Sequence, residues 1–181
     1  MSQHALTRTI AAASLLLLAA CGGTDHAEAD VRFAQQMVPH HAQAVEMADQ
    51  ALDTSRDADV RRLAEEIRAA QDPEIETMTG WLEEWGEDVP DTSGGMAGMG
   101  DMSEMDGMMT DAEMQRLDTT TGAEFDRLWL RLMVEHHQGA IEMARAEQAD
   151  GTYDAAVDLA KDVERTQQAE IAEMEELLGQ G

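Results

Sequence analysis

The sequence predicts an all-α protein, a ferritin-like four-helix bundle made of two repeated helical hairpins joined by a long Met-rich crossover. Three observations predict it. Apolar residues recur at helical period in four stretches, and strand-like alternation is absent. The stretches beginning at Asp30 and Asp126 match without a gap at an offset of 96 residues, the mark of a duplicated structural unit. Between the copies lies GGMAGMGDMSEMDGMM, which has too much glycine and too little apolar periodicity to build core.

Residues 1–20 read as an export signal. Arg8 supplies the positive charge, and the apolar run Ile10–Ala20 has the length of a signal-peptide core, too short to span a bilayer. It ends in Leu18-Ala19-Ala20-Cys21, which looks like the lipobox of bacterial lipoproteins. The expectation is cleavage before Cys21, lipidation of that residue, a tether over 21–29, and a protein held outside the cytoplasm by its lipid. An ordinary secretory peptide with an incidental cysteine is the alternative. Cys21 is the only cysteine, so no intramolecular disulfide supports the fold.

The first hairpin is predicted over 30–85. Phe33, Met37, His40, His41, Ala44, Met47 and Ala48 form one helical stripe. The polar break DTSRD offers Thr54, Ser55 and Asp57 as N-caps for the next helix. That helix carries Val60, Leu63, Ala64, Ile67, Gln71, Glu74, Ile75, Met78 and Leu82 on its inward stripe. Pro39 and Pro73 interrupt the pattern chemically but not in phase, which predicts kinks; a break at Asp72-Pro73 is the alternative.

The connection, 86–121, is expected to be mobile at its centre and long enough to run along the bundle. A short helix is predicted from Thr110, where Thr110 and Glu113 have capping-box spacing. The second hairpin, 122–178, repeats the plan. Thr121 and Glu124 are expected to cap its first helix, Gly151 to stop it, and Thr152 to open the last helix.

The repeated segments MVPHHAQAVEMA and MVEHHQGAIEMA carry the chemistry. Met37, His40, His41 and Met47 share one face of the first helix, and Met133, His136, His137 and Met143 share the equivalent face of the third. Four imidazoles should therefore converge in the core, with Met37, Met47, Met133 and Met143 and, on neighbouring inward stripes, Glu74 and Glu170 as further candidate metal ligands. Burying that many polar groups is costly unless they share partners, and a metal ion satisfies several at once. A hydrogen-bonded His-Glu-Gln network is the competing reading.

No Glu-x-x-His occurs in the chain; methionine stands three residues before each His-His pair. Where a di-iron bundle supplies a hard carboxylate, this sequence supplies a thioether, and thioether with imidazole favours copper, Cu(I) especially. Met96, Met99, Met102, Met105, Met108 and Met109 in the connection form a candidate secondary Cu(I) site. A linker without a role and a sacrificial sink for oxidants are the alternatives.

The formal charge of −26 argues against nucleic acid and against docking on anionic lipid. The partners this leaves are a metal ion and a membrane reached only through the lipid on Cys21. Self-association is left open.

The signature D-x-x-F/W-x-x-x-M-x-x-HH-x-x-A/G-I/V-x-M-A, at Asp30–Ala48 and Asp126–Ala144, resembles that of the secreted bacterial family called domain of unknown function 305, or CopM-like. Q-x-x-E-I-x-x-M-x-x-W/L, at Gln71–Trp81 and Gln167–Leu177, matches too. The resemblance implies a ferritin-like fold and extracytoplasmic copper handling, with ligands at His40, His41, His136, His137 and nearby methionines. The leading expectation is a copper-sequestering or tolerance lipoprotein without turnover. A ferritin-like metal-dependent oxidase and a metal-free helical interaction module are the alternatives.

Overall fold

A computed structural model describes residues 26–92 and 106–180. They form four long helices and one short one: α1 (Glu28–Thr54), α2 (Ala58–Trp85), α3 (Asp111–Thr119), α4 (Gly122–Asp150) and α5 (Asp154–Gln180). Helix α1 packs on α2, α4 packs on α5, and the hairpins join chiefly through α1 against α4. The all-α bundle and its two hairpins are as the periodicity predicts. The signal segment, Cys21, and Met96, Met99, Met102 and Met105 lie outside the described residues.

Helices α1 and α4 run antiparallel, as two reciprocal clasps show. Asp30, near the start of α1, accepts the Thr152 and Tyr153 N–H groups at 3.0 and 2.9 Å in the turn after α4. Its repeat partner Asp126, near the start of α4, accepts the Ser55 hydroxyl at 2.5 Å in the turn after α1. Each hairpin thus holds the other's turn, which explains why the repeat keeps an aspartate at both positions. The crossover from α2 to α4 must consequently travel the length of the bundle.

Both prolines sit inside uninterrupted helices, so the backbone does not break at Asp72-Pro73. Asp57 caps α2, its carboxylate accepting from Asp59 and Val60 N–H groups. The Thr110/Glu113 capping box opens α3 as the spacing predicts. Two expected caps differ. Thr121 precedes α4 but its side chain caps nothing. Helix α5 begins at Asp154 rather than at Thr152, because Asp30 draws the Thr152 backbone and hydroxyl into the inter-hairpin clasp.

The core has two apolar clusters. One holds Met47 and Met133 together with Leu63, Ile67, Phe125, Trp129, Met109, and Met114 and Leu117 of α3. The other holds Met37, Met78, Leu82 and Val163, with Met143 packed at its edge.

Candidate metal centre

The histidines come together where α1 crosses α4. His40 and His136 are fully buried, and their ring centroids are 3.8 Å apart at an interplanar angle of 40°. Neither ring has a hydrogen-bond partner at Nδ1 or Nε2. Burial first, then the neighbouring His41 and His137, hold His40 well below the ordinary imidazole pKa. The Asp106 carbonyl acts in the opposite sense on His40 but falls short of hydrogen-bond geometry. Burial, then His40, His137 and His41, do the same to His136. Both rings are therefore neutral at ordinary pH, with lone pairs available.

His41 and His137 are arranged differently. His41 Nε2 lies 2.7 Å from Glu74 Oε2 and His137 Nε2 lies 2.8 Å from Glu170 Oε2. Both rings are fully buried, while each glutamate keeps a partly exposed edge. Against an ionised glutamate, Nε2 carries the proton and Nδ1 keeps the lone pair; Nδ1 has no partner in either ring. Glu74 and Glu170 thus orient imidazoles, the arrangement by which carboxylates fix the tautomer of metal-binding histidines. Gln71 and Gln167 are buried alongside, each with an unpartnered Oε1.

Met37, Met47 and Met133 are fully buried; Met143 is partly so. The offset of 96 relates Met37 to Met133 and Met47 to Met143. Met47 with Met133 in one cluster, and Met37 with Met143 in the other, are therefore equivalent pairs in the pseudo-twofold arrangement. Among the described residues, no three His, Cys, Asp or Glu side chains stand together in metal-binding geometry. The available donor set is imidazole plus thioether, the soft combination that suits copper at low coordination number.

The last residues of the crossover are not mobile linker. Met108 and Met109 are buried, and Gln43 holds the Met109 backbone in both directions: Met109 N–H donates to Oε1 at 2.7 Å, and Nε2 donates to the Met109 carbonyl at 2.9 Å. A Cβ on Gly139 would come within 2.1 Å of the Asp106 carbonyl oxygen, so only glycine lets this strap lie on α4. Gly107 completes the contact at φ 81°, a left-handed conformation suited to glycine. Met108 and Met109, expected in a flexible copper loop, are instead buried where the crossover ends, and Met109 belongs to the core. Gln43 and Gly139 occupy equivalent repeat positions, two residues after the His-His pairs. Their divergence there was the sequence signal for this strap.

These features define a class: an antiparallel helical bundle with a duplicated, buried histidine centre. The chain belongs to the DUF305 family, a domain of unknown function whose model matches residues 30–178. A secreted DUF305 protein from Streptomyces coelicolor is similar, with 39% identity, a TM-score of 0.75, and coverage of 84% of this chain and 93% of that one. A DUF305 fragment from Deinococcus radiodurans gives 32% identity, a TM-score of 0.75, and coverage of 86% and 98%. CopM in its Cu(II)-bound form gives 32% identity, a TM-score of 0.71, and coverage of 83% and 96%. Comparison with curated protein sequences finds no match.

Proposed function

We propose that this chain is an extracytoplasmic copper-binding lipoprotein that sequesters copper, with its principal site at the four histidines. One observation carries the reading. His40 and His136 are fully buried in mutual contact, and all four of their ring nitrogens lack a partner. A buried imidazole with neither nitrogen satisfied destabilises the fold by ~1–3 kcal/mol per group. Repeating that cost symmetrically in a duplicated unit is reasonable where the nitrogens have a ligand to bind.

Copper is the cargo that best matches these donors. His40, His136, and Nδ1 of His41 and His137 would supply nitrogen, with Met37, Met47, Met133 and Met143 as thioether donors. CopM, which this chain resembles, has been crystallised with Cu(I) and Cu(II). Met96, Met99, Met102 and Met105 would capture Cu(I) and pass it toward the strap. Export would rest on residues 1–20 and anchoring on Cys21, in keeping with the secreted Streptomyces relative.

The test is competition titration of the mature chain with Cu(I) and Cu(II) separately, beside a variant replacing His40, His41, His136 and His137. The variant should lose tight binding of both ions, while deletion of residues 94–105 should mainly weaken Cu(I) capture. Wild-type affinity for both ions in a folded quadruple variant would remove the histidine centre from copper binding.

A further inference from the structure

The histidine centre is covered on two sides. His41 and His137 turn toward α2 and α5, where Glu74 and Glu170 hold their Nε2 atoms. His40 and His136 meet between α1 and α4, and both are fully buried. An ion reaches those two rings only if something moves. On the α1–α4 side the cover is the end of the crossover, residues 106–109.

Register puts this strap over the rings. Gln43 stands three residues after His40, and Gly139 three after His136, one helical turn in each case. Because α1 and α4 run antiparallel, the two residues flank the ring contact on opposite sides, roughly 9 Å apart along the bundle at 1.5 Å per residue. The strap is fixed at both. Its backbone at Asp106 and Gly107 rests on α4: an added Cβ at Gly139 would lie 2.1 Å from the Asp106 carbonyl oxygen, and one at Gly107 2.9 Å from that of His136. Its backbone at Met109 is held by the Gln43 amide of α1. Three extended residues reach about 10 Å, enough to pass from one anchor to the other across the rings. The Asp106 carbonyl accordingly faces His40. Equivalent repeat positions have thus taken opposite roles, Gln43 as a clamp and Gly139 as room for a backbone.

We propose that residues 106–109 are a gate: copper enters the centre from the α1–α4 side when the Gln43 clamp opens and the strap lifts from Gly139. The identity of the ion rests on the copper reading above; the covering of the rings does not. The strap is neither helix nor strand, so it can open locally. Beyond it, Met114 and Leu117 keep α3 seated in the core. A gate slows uptake and release together and leaves affinity unchanged. Its opening, rather than the arrival of copper, then limits loading.

The experiment has two arms on the mature full chain, with Gln43→Leu and Gly139→Ala loosening the strap from either anchor. Gln35→Leu is the control, since it removes a similar amide-to-backbone bond, to Asp88, elsewhere. The first arm needs no metal. Diethyl pyrocarbonate acylates neutral imidazole nitrogens, and fragment mass spectrometry reads its initial rate at each histidine in chelator. Both strap variants should speed modification of His40 and His136 at least tenfold relative to His26, and Gln35→Leu should not. The second arm is stopped-flow Cu(II) loading, read by tryptophan quenching. The wild-type rate should level off as copper rises, and both strap variants should lift that plateau at least tenfold with equilibrium affinity unchanged. Unchanged ring modification in both variants, each folded by circular dichroism, would overturn the gate. Faster modification with unchanged loading would also overturn it, moving entry to the α2–α5 side. Faster modification in a protein that binds no copper would retain the strap as the cover of the rings and remove copper as what it admits.

Discussion

Replacing His40 and His136 together by leucine should make the metal-free protein more stable. Each ring now buries two nitrogens without partners. Counting only one unsatisfied group per ring, at ~1–3 kcal/mol each, gives roughly 2–6 kcal/mol to recover. Leucine is of similar volume but different shape, and repacking beside Met37 and Met133 costs ~1–2 kcal/mol of that. The net expectation is a gain of about 1–4 kcal/mol. For a chain of this size that raises Tm by roughly 2–4 °C per kcal/mol. The assay is urea and thermal unfolding of both proteins in chelator, repeated with copper. Wild type should then gain ~2.7 kcal/mol at a free copper concentration one hundred times Kd, and the variant, left with His41, His137 and the thioethers, clearly less. A variant that is less stable than wild type in chelator by more than about 1 kcal/mol would refute the reasoning. The rings would then have a structural role, for instance through buried water.

Three further outcomes follow from the same geometry. Burial opposes ionisation of Asp30, but hydrogen bonds from the Ala27 and Tyr153 backbone, the Glu147 carboxyl and the Thr152 backbone outweigh it and lower the pKa from 3.8 to about 2. A depressed folded-state pKa gives stability that is present above pH ~4 and lost as pH falls towards 2, here about 2 kcal/mol; acid titration of Asp30→Asn should lack that loss. Glu147 has the opposite sign. Its pKa is raised from 4.5 to about 8, so stability is full below pH ~4.5 and lost as pH rises through 8, on the order of 3–5 kcal/mol. Glu147→Gln, unfolded in chelator between pH 5 and 9, should flatten that decline. Gly139→Ala should drive its new methyl into the Asp106 backbone and undock the strap, at ~1–3 kcal/mol. Amide exchange should accelerate at Met109 while α1 and α4 keep their protection; unchanged Met109 exchange would show that the strap is not held there.

Helical period made the inward stripes legible, and the ungapped offset made the hairpins legible, because both are local properties of side-chain spacing. The convergence of His40 and His136 followed from them. The relative direction of α1 and α4 did not, since mid-helix histidines meet in either orientation; Asp30 and Asp126 decide it through contacts more than 70 residues distant. The paired aspartates were visible in the repeat, but their partners were not. Met108 and Met109 read as linker because glycine and aspartate surround them. Their burial depends on Gln43 and Gly139, tertiary contacts that no local period reports. Glu74 and Glu170 were legible as inward residues, yet only coordinates show each bonded to a histidine Nε2. Glu147 went unnoticed because a glutamate four residues after Met143 resembles an ordinary solvent-facing acid, and only its alignment with Ala51 marks the place as buried.

Copper binding at the histidine centre between α1 and α4 can be seen directly. Anomalous diffraction from copper-loaded crystals of the mature protein, recorded on both sides of the copper absorption edge, tests it most directly. A copper peak should lie within bonding distance of ring nitrogens of His40 and His136, with at least one of Met37, Met47, Met133 or Met143 turned toward it. Copper found only at surface carboxylates, with both rings still in contact and unligated, would contradict it.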